Sequence, residues 1–596
     1  MANLHKFYKD TQLRYTALLE IEKKWLVKTG WMRLLSFVIF LIFIFRGINN
    51  DGWLEFFIAF LGLSIFLFLL KKSQKHSWLK KHYQALTNLN RDELKGLDGD
   101  YATFEDGSEF ADHTHPFLHD LDIFGQDSIF QSMNRSFTEK GKNNLAGFLI
   151  TPLRSSDDIY KRQDATKELK NKTEWRQSFQ ALATELINEQ VDNEVLGNWF
   201  SEKRGLFKNR FYPVLAFLFP TISFFLIFLS IIDLIQVEPV FVFLIFALVV
   251  VGSLLKKTQR FQNQMAGALK LLGKHSDLIK HIEKEDFQAS LLLEKKDILY
   301  VEGEPASLVI QKLSRIMDAF DSRNNIFVGV VLNALLMWDI HCLMRFEKWR
   351  LRYGHRILPV LESLATFDAY TSLGSYAFNH PEFSFPEPAA GPKWEMEQMG
   401  HPLILKNSRV DNDFSIHNKG SVFIITGPNM AGKSTFLRAV GVNLVLAHIG
   451  VPVCAAKFVF KPVLVFTSMR TTDSLQKHES YFFSELKRLK QLLDTIEAEG
   501  SVFFLLDEIL KGTNSIDKTA GSEAVISKLV GLDGTGLIAT HDLSLGKLER
   551  EFPGKVSNKC FDAEIIDNQL VFDYLLHEGI TQNMNAAFLM KKMGIV

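Results

Sequence analysis

At 596 residues the chain is too long for one hydrophobic core, and two to four domains are expected. Lys plus Arg and Asp plus Glu stand at 68 each, so no overall field draws the chain toward nucleic acid, although a local basic groove stays open. The three cysteines, Cys342, Cys454 and Cys560, are far apart and form no CxxC or Cys/His cluster, which argues against a disulfide framework or a zinc site and fits a reducing compartment.

Residues 1–30 are polar and charged, and read as a cytoplasmic segment without a cleavable signal peptide. Residues 31–72 hold two apolar segments, about Trp31–Ile48 and Trp53–Leu70, joined by the turn Asn49-Asn50-Asp51-Gly52. Residues 205–257 hold two more, roughly Phe211–Ile235 and Val240–Leu255. Each is near the length of about 17–25 residues that crosses a bilayer. Their flanks agree on a topology. Lys23, Lys24, Lys28 and Arg33 precede the first hairpin, and Lys71, Lys72, Lys75, Lys80 and Lys81 follow it. Lys203, Arg204, Lys208 and Arg210 precede the second, and Lys256, Lys257 and Arg260 follow it. The connecting turns hold Asp51, and Asp233 with Glu238; Arg46 is the one basic residue near that side. By the positive-inside rule both turns face out and the termini and middle face the cytoplasm. The expectation is an integral protein of the inner or cell membrane with four spans. Buried core hairpins, or apolar dimer-forming helices, are the competing reading.

Residues 73–204 and 258–395 read as a soluble, helical domain in two parts. Apolar residues recur at three- and four-residue spacing through Ile159–Leu186 and Ala266–Leu293, and Phe327–Tyr370 reads as helix with few breakers. The Pro/Gly-rich passage Pro381–Pro392 reads as a linker to a last domain, residues 396–596.

Within that domain Ser421–Thr435, SVFIITGPNMAGKST, is an apolar β-branched run, a glycine-rich turn and the start of a helical pattern. This is the context of a phosphate-cradling loop formed by Gly427, Pro428, Asn429, Met430, Ala431, Gly432, Lys433, Ser434 and Thr435. The glycines let backbone N–H groups approach the phosphates of ATP at a helix N-terminus, Lys433 reaches the β- and γ-phosphates, and Ser434 ligates Mg²⁺. Ser501–Glu508, SVFFLLDE, is a buried strand ending in two carboxylates. Asp507 is expected to hold Mg²⁺ through water, and Glu508 to orient and deprotonate the attacking water. A third strand, Gly536–Thr540, ends at His541, which can sense the γ-phosphate.

At these residues the chain resembles the MutS family of DNA mismatch-repair ATPases. Thr426–Thr435, TGPNMAGKST, matches that family's phosphate loop closely. His401-Pro402, Ser480–Glu485, Asp507–Ser515, Thr540-His541 and Leu589–Ile595 resemble further elements of its ATPase domain. Asp122–Leu169 is similar to the start of its lever domain and Glu362–Ala377 to the end. The resemblance implies an α/β P-loop NTPase domain of ABC type behind an all-α lever. It also implies a head-to-tail homodimer in which Ser480 reaches the γ-phosphate held by the other copy, Asn429 touches phosphate in its own subunit and Asp517 lies at the seam. DNA is the implied ancestral ligand. The chain departs from the family in several places. No mismatch-reading wedge lies upstream of residue 122, and the second apolar hairpin stands where the family inserts a DNA clamp. Arg409 replaces an adenine-stacking aromatic, Cys560 replaces a histidine of similar task, and Leu510 and Lys511 replace Gly and Arg.

The reading is therefore a membrane-anchored ATPase coupling ATP to conformational change of a dimer. An ABC-like membrane ATPase or transporter component acting on a non-DNA partner is the alternative. A scaffold with a vestigial site is a third, opposed by the complete set Lys433, Ser434, Asp507, Glu508 and His541.

Overall fold

The computed structural model describes residues 2–50, 52–186, 197, 200, 211–253, 255–322, 325–470, 481–511, 514–566 and 569–581. They form two compact units. One comprises Met1–Arg135, Asn143–Arg176 and Ala369–Val596, the other Ser136–Lys142 and Gln177–Asp368.

The first unit opens with two antiparallel helices, α1 (Ala2–Asn50) and α2 (Trp53–Leu97). At about 1.5 Å per residue each is roughly 70 Å long, so the apolar segments are only their distal parts. Residues expected merely as a polar N-terminal segment continue the same helix, because nothing in 2–30 breaks it. Gly62 lets the helices close up: a Cβ there would lie 3.2 Å from the Phe40 amide nitrogen and the Ser36 carbonyl oxygen. Nearer the base the contacts turn polar and aromatic, with Glu22 Oε2 2.5 Å from His76 Nδ1 and Trp25 stacked on His76. The base itself is pinned by a buried network. Arg135 Nε donates to Glu93 Oε1 at 2.6 Å, Asn379 Nδ2 to Glu93 Oε2 at 2.8 Å, and Tyr8 O–H to Asn379 Oδ1 at 2.6 Å.

The short helices α3 (Ile129–Met133), α4 (Glu139–Ile150), α5 (Ser156–Asn171) and α6 (Thr173–Ala183) follow. Ser128 and Ser155 cap α3 and α5 by accepting from the N–H three residues on. The second unit then holds α7 (Phe211–Ile231), α8 (Glu238–Ser253), α9 (Leu255–Lys284), α10 (Ser290–Asp297), α11 (Ala306–Asp321), α12 (Ile326–Leu336) and most of α13 (Trp338–Asn379). A two-residue strand pair, β1 (Tyr300–Val301) with β2 (Glu304–Pro305), interrupts what was expected to be all helix.

Among the described residues three helices are long and apolar enough to cross a membrane, α1, α2 and the Val214–Ile231 part of α7, and the bent pair α12–α13 makes a fourth if it is taken as one span. The fourth expected segment falls on α8, which holds 16 described residues, as many as its apolar run; residue 254, just beyond it, lies outside the described residues. The basic residues expected ahead of the second hairpin, Lys203, Arg204, Lys208 and Arg210, lie outside the described residues. The stretch Phe327–Tyr370, expected to be helical with few breakers, is helical in two pieces. Met337 adopts a left-handed conformation, φ 49°, and α12 and α13 are bent by 79° there.

The remainder of the first unit is an α/β domain. The passage expected as a linker includes β3 (Glu387–Pro388), which joins β4 (Trp394–Met399), β5 (Asn412–Ile416) and β7 (Lys457–Phe460) in a four-stranded sheet of order β3-β7-β4-β5. The larger sheet holds β6 (Val422–Thr426), β8 (Leu464–Ser468), β9 (Val502–Asp507), β10 (Thr535–Thr540), β11 (Val556–Ile566) and β12 (Gln569–Glu578), in the order β12-β11-β6-β10-β9-β8. All its pairings are parallel except β11 with β12. Helices α14 (Lys433–His448), α15 (Tyr481–Glu499) and α16 (Ser515–Gly531) belong to this domain. Ile424, Phe504, Leu506 and Ile538 of the strands pack against Leu492 and Ile496 of α15 and Ile526 and Leu529 of α16. Because β6, β10 and β9 are adjacent and parallel, Thr426, Thr540 and Asp507 finish side by side, where α/β folds bind their ligands.

Candidate functional site

β6 ends at Thr426, and the chain turns through Gly427–Gly432 into α14. A Cβ on Gly427 would stand 2.6 Å from the Phe561 carbonyl oxygen, so only glycine lets the turn pass that close to β11. Gly432 caps α14 in a left-handed conformation, φ 105°, and directs the first N–H groups of the helix into the turn. Lys433, only 6% exposed, donates from Nζ to the carbonyls of Gly427 at 2.8 Å and Pro428 at 2.9 Å. Burial pushes its pKa down, against the charges of Asp507 and Glu508. Ser434 Oγ lies 2.5 Å from Asp507 Oδ2 and donates to it.

The strand ends supply the acid and the histidine. The register pairs Ala539 with Asp507, and the Glu508 N–H donates to the Ala539 carbonyl at 2.9 Å. Glu508 itself is left-handed, φ 49°, which turns its side chain out of the strand direction toward His541. Its Oε1 is 2.9 Å from His541 Nε2 and its Oε2 is 3.4 Å from Lys511 Nζ. The His541 hydrogen bond, more than Lys511, holds the Glu508 carboxyl down at about 2. With Nε2 donating to Glu508, the Lys433 Nζ at 3.4 Å is a neighbour of His541 and not its partner.

These groups border one cleft of about 350 Å³ that takes in Asn429–Thr435, Glu508 and His541. Gly427, Pro428 and Asp507 support it from beneath, through Lys433 and Ser434. Ser480 lies outside the described residues, as does Leu589–Ile595. Asp517 sits in the first turn of α16, its N–H capped by Asn514.

The other wall of the cleft was less legible. Arg409 lines it, held by Asp411 through Nε–Oδ1 at 2.6 Å. Cys560 does not; it is buried on β11, its thiol 3.8 Å from Asp562 and burial raising its pKa to about 11. The aromatic side chains that line the cleft are Tyr574, Phe561 and Phe436. Asn412 fixes that wall, donating to the Tyr574 carbonyl at 3.0 Å and accepting from the Leu576 N–H at 2.7 Å. His401, just past β4, also lines the cleft, and burial lowers its pKa to about 4, so it is neutral. Glu485 is a further residue whose role only the fold reveals. Its buried carboxylate accepts from the Leu510 N–H and so holds the turn that carries Glu508.

The donor set fits a magnesium ion shared with phosphate. Two hard oxygens, from Ser434 and Asp507, meet beside N–H groups that attract anions. Among the described residues no group of three or more His, Cys, Asp or Glu side chains could form a self-sufficient metal cage.

Residues 423–592 match the family MutS domain V. The chain is 30% identical over 247 residues to the DNA mismatch repair protein MutS of Thermotoga maritima, covering 40% of this chain and 30% of that one. It is 28% identical over 256 residues to the human MutS protein homolog 4, covering 41% and 25%. It is 29% identical over 204 residues to the Endonuclease MutS2 of Thermus thermophilus, covering 34% and 26%. The chain thus spans 30% or less of the length of these curated relatives.

Proposed function

The chain belongs to the MutS family through its C-terminal domain, and from that premise we propose that it is a membrane-anchored, Mg²⁺-dependent ATPase whose nucleotide cycle changes the conformation of a dimer. The observation that carries this reading is the meeting of Lys433, Ser434–Asp507 and Glu508–His541 around one cleft at the ends of three parallel strands. The N–H groups of the turn and the Lys433 ammonium bind the β- and γ-phosphates. Ser434 and Asp507 would hold Mg²⁺, which offsets phosphate charge when bound. Glu508 accepts a proton from water as the water oxygen bonds to the γ-phosphorus and the bond to the ADP oxygen breaks. For that, His541 must exchange its partner, leaving Glu508 for the γ-phosphate. The base lies between Arg409 and Tyr574, where a guanidinium and a phenol ring can both stack on a purine. Ser480 of a second copy completes the site in a homodimer.

α1, α2 and α7 anchor the protein in the cell membrane, with the N-terminus, lever and ATPase domains in the cytoplasm. DNA is the partner suggested by the Thermotoga maritima relative, a DNA mismatch repair protein. The decisive experiment is pull-down with the detergent-solubilised Glu508→Gln protein loaded with ATP, scoring DNA against protein partners. Capture of DNA at moderate salt supports the repair-type reading, whereas protein partners without DNA remove it and leave the ATPase. Absence of ATP turnover in the wild type, with Lys433→Ala indistinguishable from it in nucleotide binding, removes the ATPase too.

A further inference from the structure

Resting on the membrane-anchored reading, we infer that α12 is an additional membrane-embedded element that enters and leaves the bilayer by the cytoplasmic face, with lipid hydrocarbon covering its outer side. Its sequence, IFVGVVLNALL, carries no charge. The face it buries is small or polar, Gly329, Asn333 and Ala334. The face it exposes is large and apolar, with Phe327 85% and Val331 55% exposed.

α12 packs against α7 and α8, which divide their residues in the same way. Ala216, Phe219, Ala247 and Val251 turn inward, joined by Met337 and Ile340 from the start of α13. Phe225 and Phe246 turn outward, 58% and 56% exposed. The three helices therefore present one continuous apolar exterior, and whatever solvates α7 also solvates α12. Apolar patches of that extent are not left to water.

Length decides the mode of entry. Eleven residues make about 16 Å of helix, roughly half the hydrocarbon thickness, so α12 alone cannot cross, and the start of α13, apolar enough to complete a span, is turned away from its axis by 79°. The return is built into its end, by the left-handed Met337 and the 79° bend into α13. A helix broken where it meets the bilayer must still satisfy its freed backbone and polar groups internally. Here Asn325 Oδ1 accepts from the Phe327 and Val328 N–H groups at 3.2 and 3.4 Å. Asn333 and Asp339 join the two sides of the break, Asn333 Nδ2 donating to Asp339 Oδ1 at 3.2 Å and the Asp339 N–H to Asn333 Oδ1 at 3.0 Å. His341 Nε2 lies 2.8 Å from the Ala216 carbonyl, and Trp338 Nε1 donates to the Ala319 carbonyl at 2.7 Å. The indole at the bend is the residue type that anchors segments at a membrane interface.

The test places single environment-sensitive maleimide dyes in the full-length protein reconstituted in phosphatidylcholine vesicles, with and without brominated lipid. The native cysteines are buried, which confines labelling to the introduced thiols. F327C and V331C should be quenched about as strongly as F225C on α7, and L293C on α10 should not be quenched. In sealed membranes of one orientation an impermeant maleimide should reach S322C and R345C from the same side. Quenching at F225C without quenching at F327C overturns the inference and leaves the anchor standing. Loss of quenching at F225C as well removes the anchor reading itself. Labelling of S322C and R345C from opposite sides makes the segment a crossing span and also overturns the inference. So does oxidative cross-linking of F327C between copies without quenching, which makes a second subunit the cover.

Discussion

Glu508→Gln isolates the proposed base. The substitution keeps the side chain's shape and a hydrogen bond to His541 while removing the charge and the proton acceptor. A positioned general base contributes about 10²–10⁴ in rate, or roughly 3–5 kcal/mol of barrier. kcat for phosphate release should fall by about that factor, because among the described residues no other carboxylate lines the cleft. Nucleotide affinity should stay within about threefold, since Lys433, Ser434 and the N–H groups of the turn are untouched. Phosphate release by the solubilised protein and titration with a fluorescent ATP analogue measure the two quantities separately. The pH profile adds a signature. In the resting site the His541 bond holds Glu508 at about 2, so the carboxylate is already ionised throughout the assay range. The acid limb of kcat/KM should therefore be missing between pH 4 and 5, about the ordinary Glu range. His541→Ala removes the main cause of the depression, and a limb should emerge toward the ordinary glutamate value of 4.5. Undiminished turnover by Glu508→Gln refutes the assignment. So does a wild-type limb in that range that His541→Ala abolishes.

Chelation with EDTA should stop turnover, and Asp507→Asn should raise the Mg²⁺ concentration needed for half-maximal rate by about tenfold or more, read from a metal titration. Asp368 is fully buried beneath the N–H groups of Phe137 and Thr138, and burial raises its pKa to about 6 from 3.8. Its folded state therefore holds a proton that the unfolded state has lost. The stability contribution is complete below about pH 4 and disappears as pH rises through about 6, a swing of roughly 3 kcal/mol; Asp368→Asn should flatten this part of the denaturation midpoint against pH. Glu93→Ala leaves the buried Arg135 guanidinium without its carboxylate and should cost about 3 kcal/mol, seen as a lowered thermal midpoint. The figure is at the low end because Arg135 keeps the carbonyls of Ser132 and Asn134 and the face of Phe104.

The nucleotide cleft was legible where one local rule sufficed. Strands buried on both faces read as unbroken apolar runs, so Val422–Thr426, Val502–Asp507 and Thr535–Thr540 stood out, and the residues at their ends followed. The opposite wall was not legible, because Tyr574, Phe561 and Asn412 come from an edge hairpin and a second sheet that meet only in the fold. Glu485 was visible as part of a motif but its task was not, since its partner Leu510 is an N–H 25 residues away. Helix lengths were misjudged in both directions. Apolar counts locate what can sit in lipid but not where a helix stops, so α1 and α2 ran far past their apolar blocks. The opposite error came at Met337, where neither Gly nor Pro marks the break; Pro359, which looks like a breaker, lies inside α13.

The residues around the start of the lever-like segment gain a meaning from what they grip. Asp120, nearly fully buried, accepts from Thr467 Oγ1 at 2.7 Å and from the Met469 and Arg470 N–H groups at 3.0 and 2.9 Å, so it fixes the chain leaving β8. Two residues on, Asp122 is left-handed, φ 49°, and its carboxylate takes both Arg470 NH2 and Arg438 NH1 at 2.9 Å. Arg438 lies on α14, little more than one turn beyond Lys433. Arg470 is the last described residue before 471–480, the stretch that contains Ser480. One aspartate therefore ties the phosphate-binding helix to the root of the segment proposed to reach the other copy. A shift of α14 on binding triphosphate would strain the Asp122 pairs before any other contact with residues 117–135, because those pairs are charged and half-exposed while the surrounding apolar contacts are fully buried. Under the proposed function, the Asp122 pairs would be the link through which such a shift of α14 reaches residues 117–135.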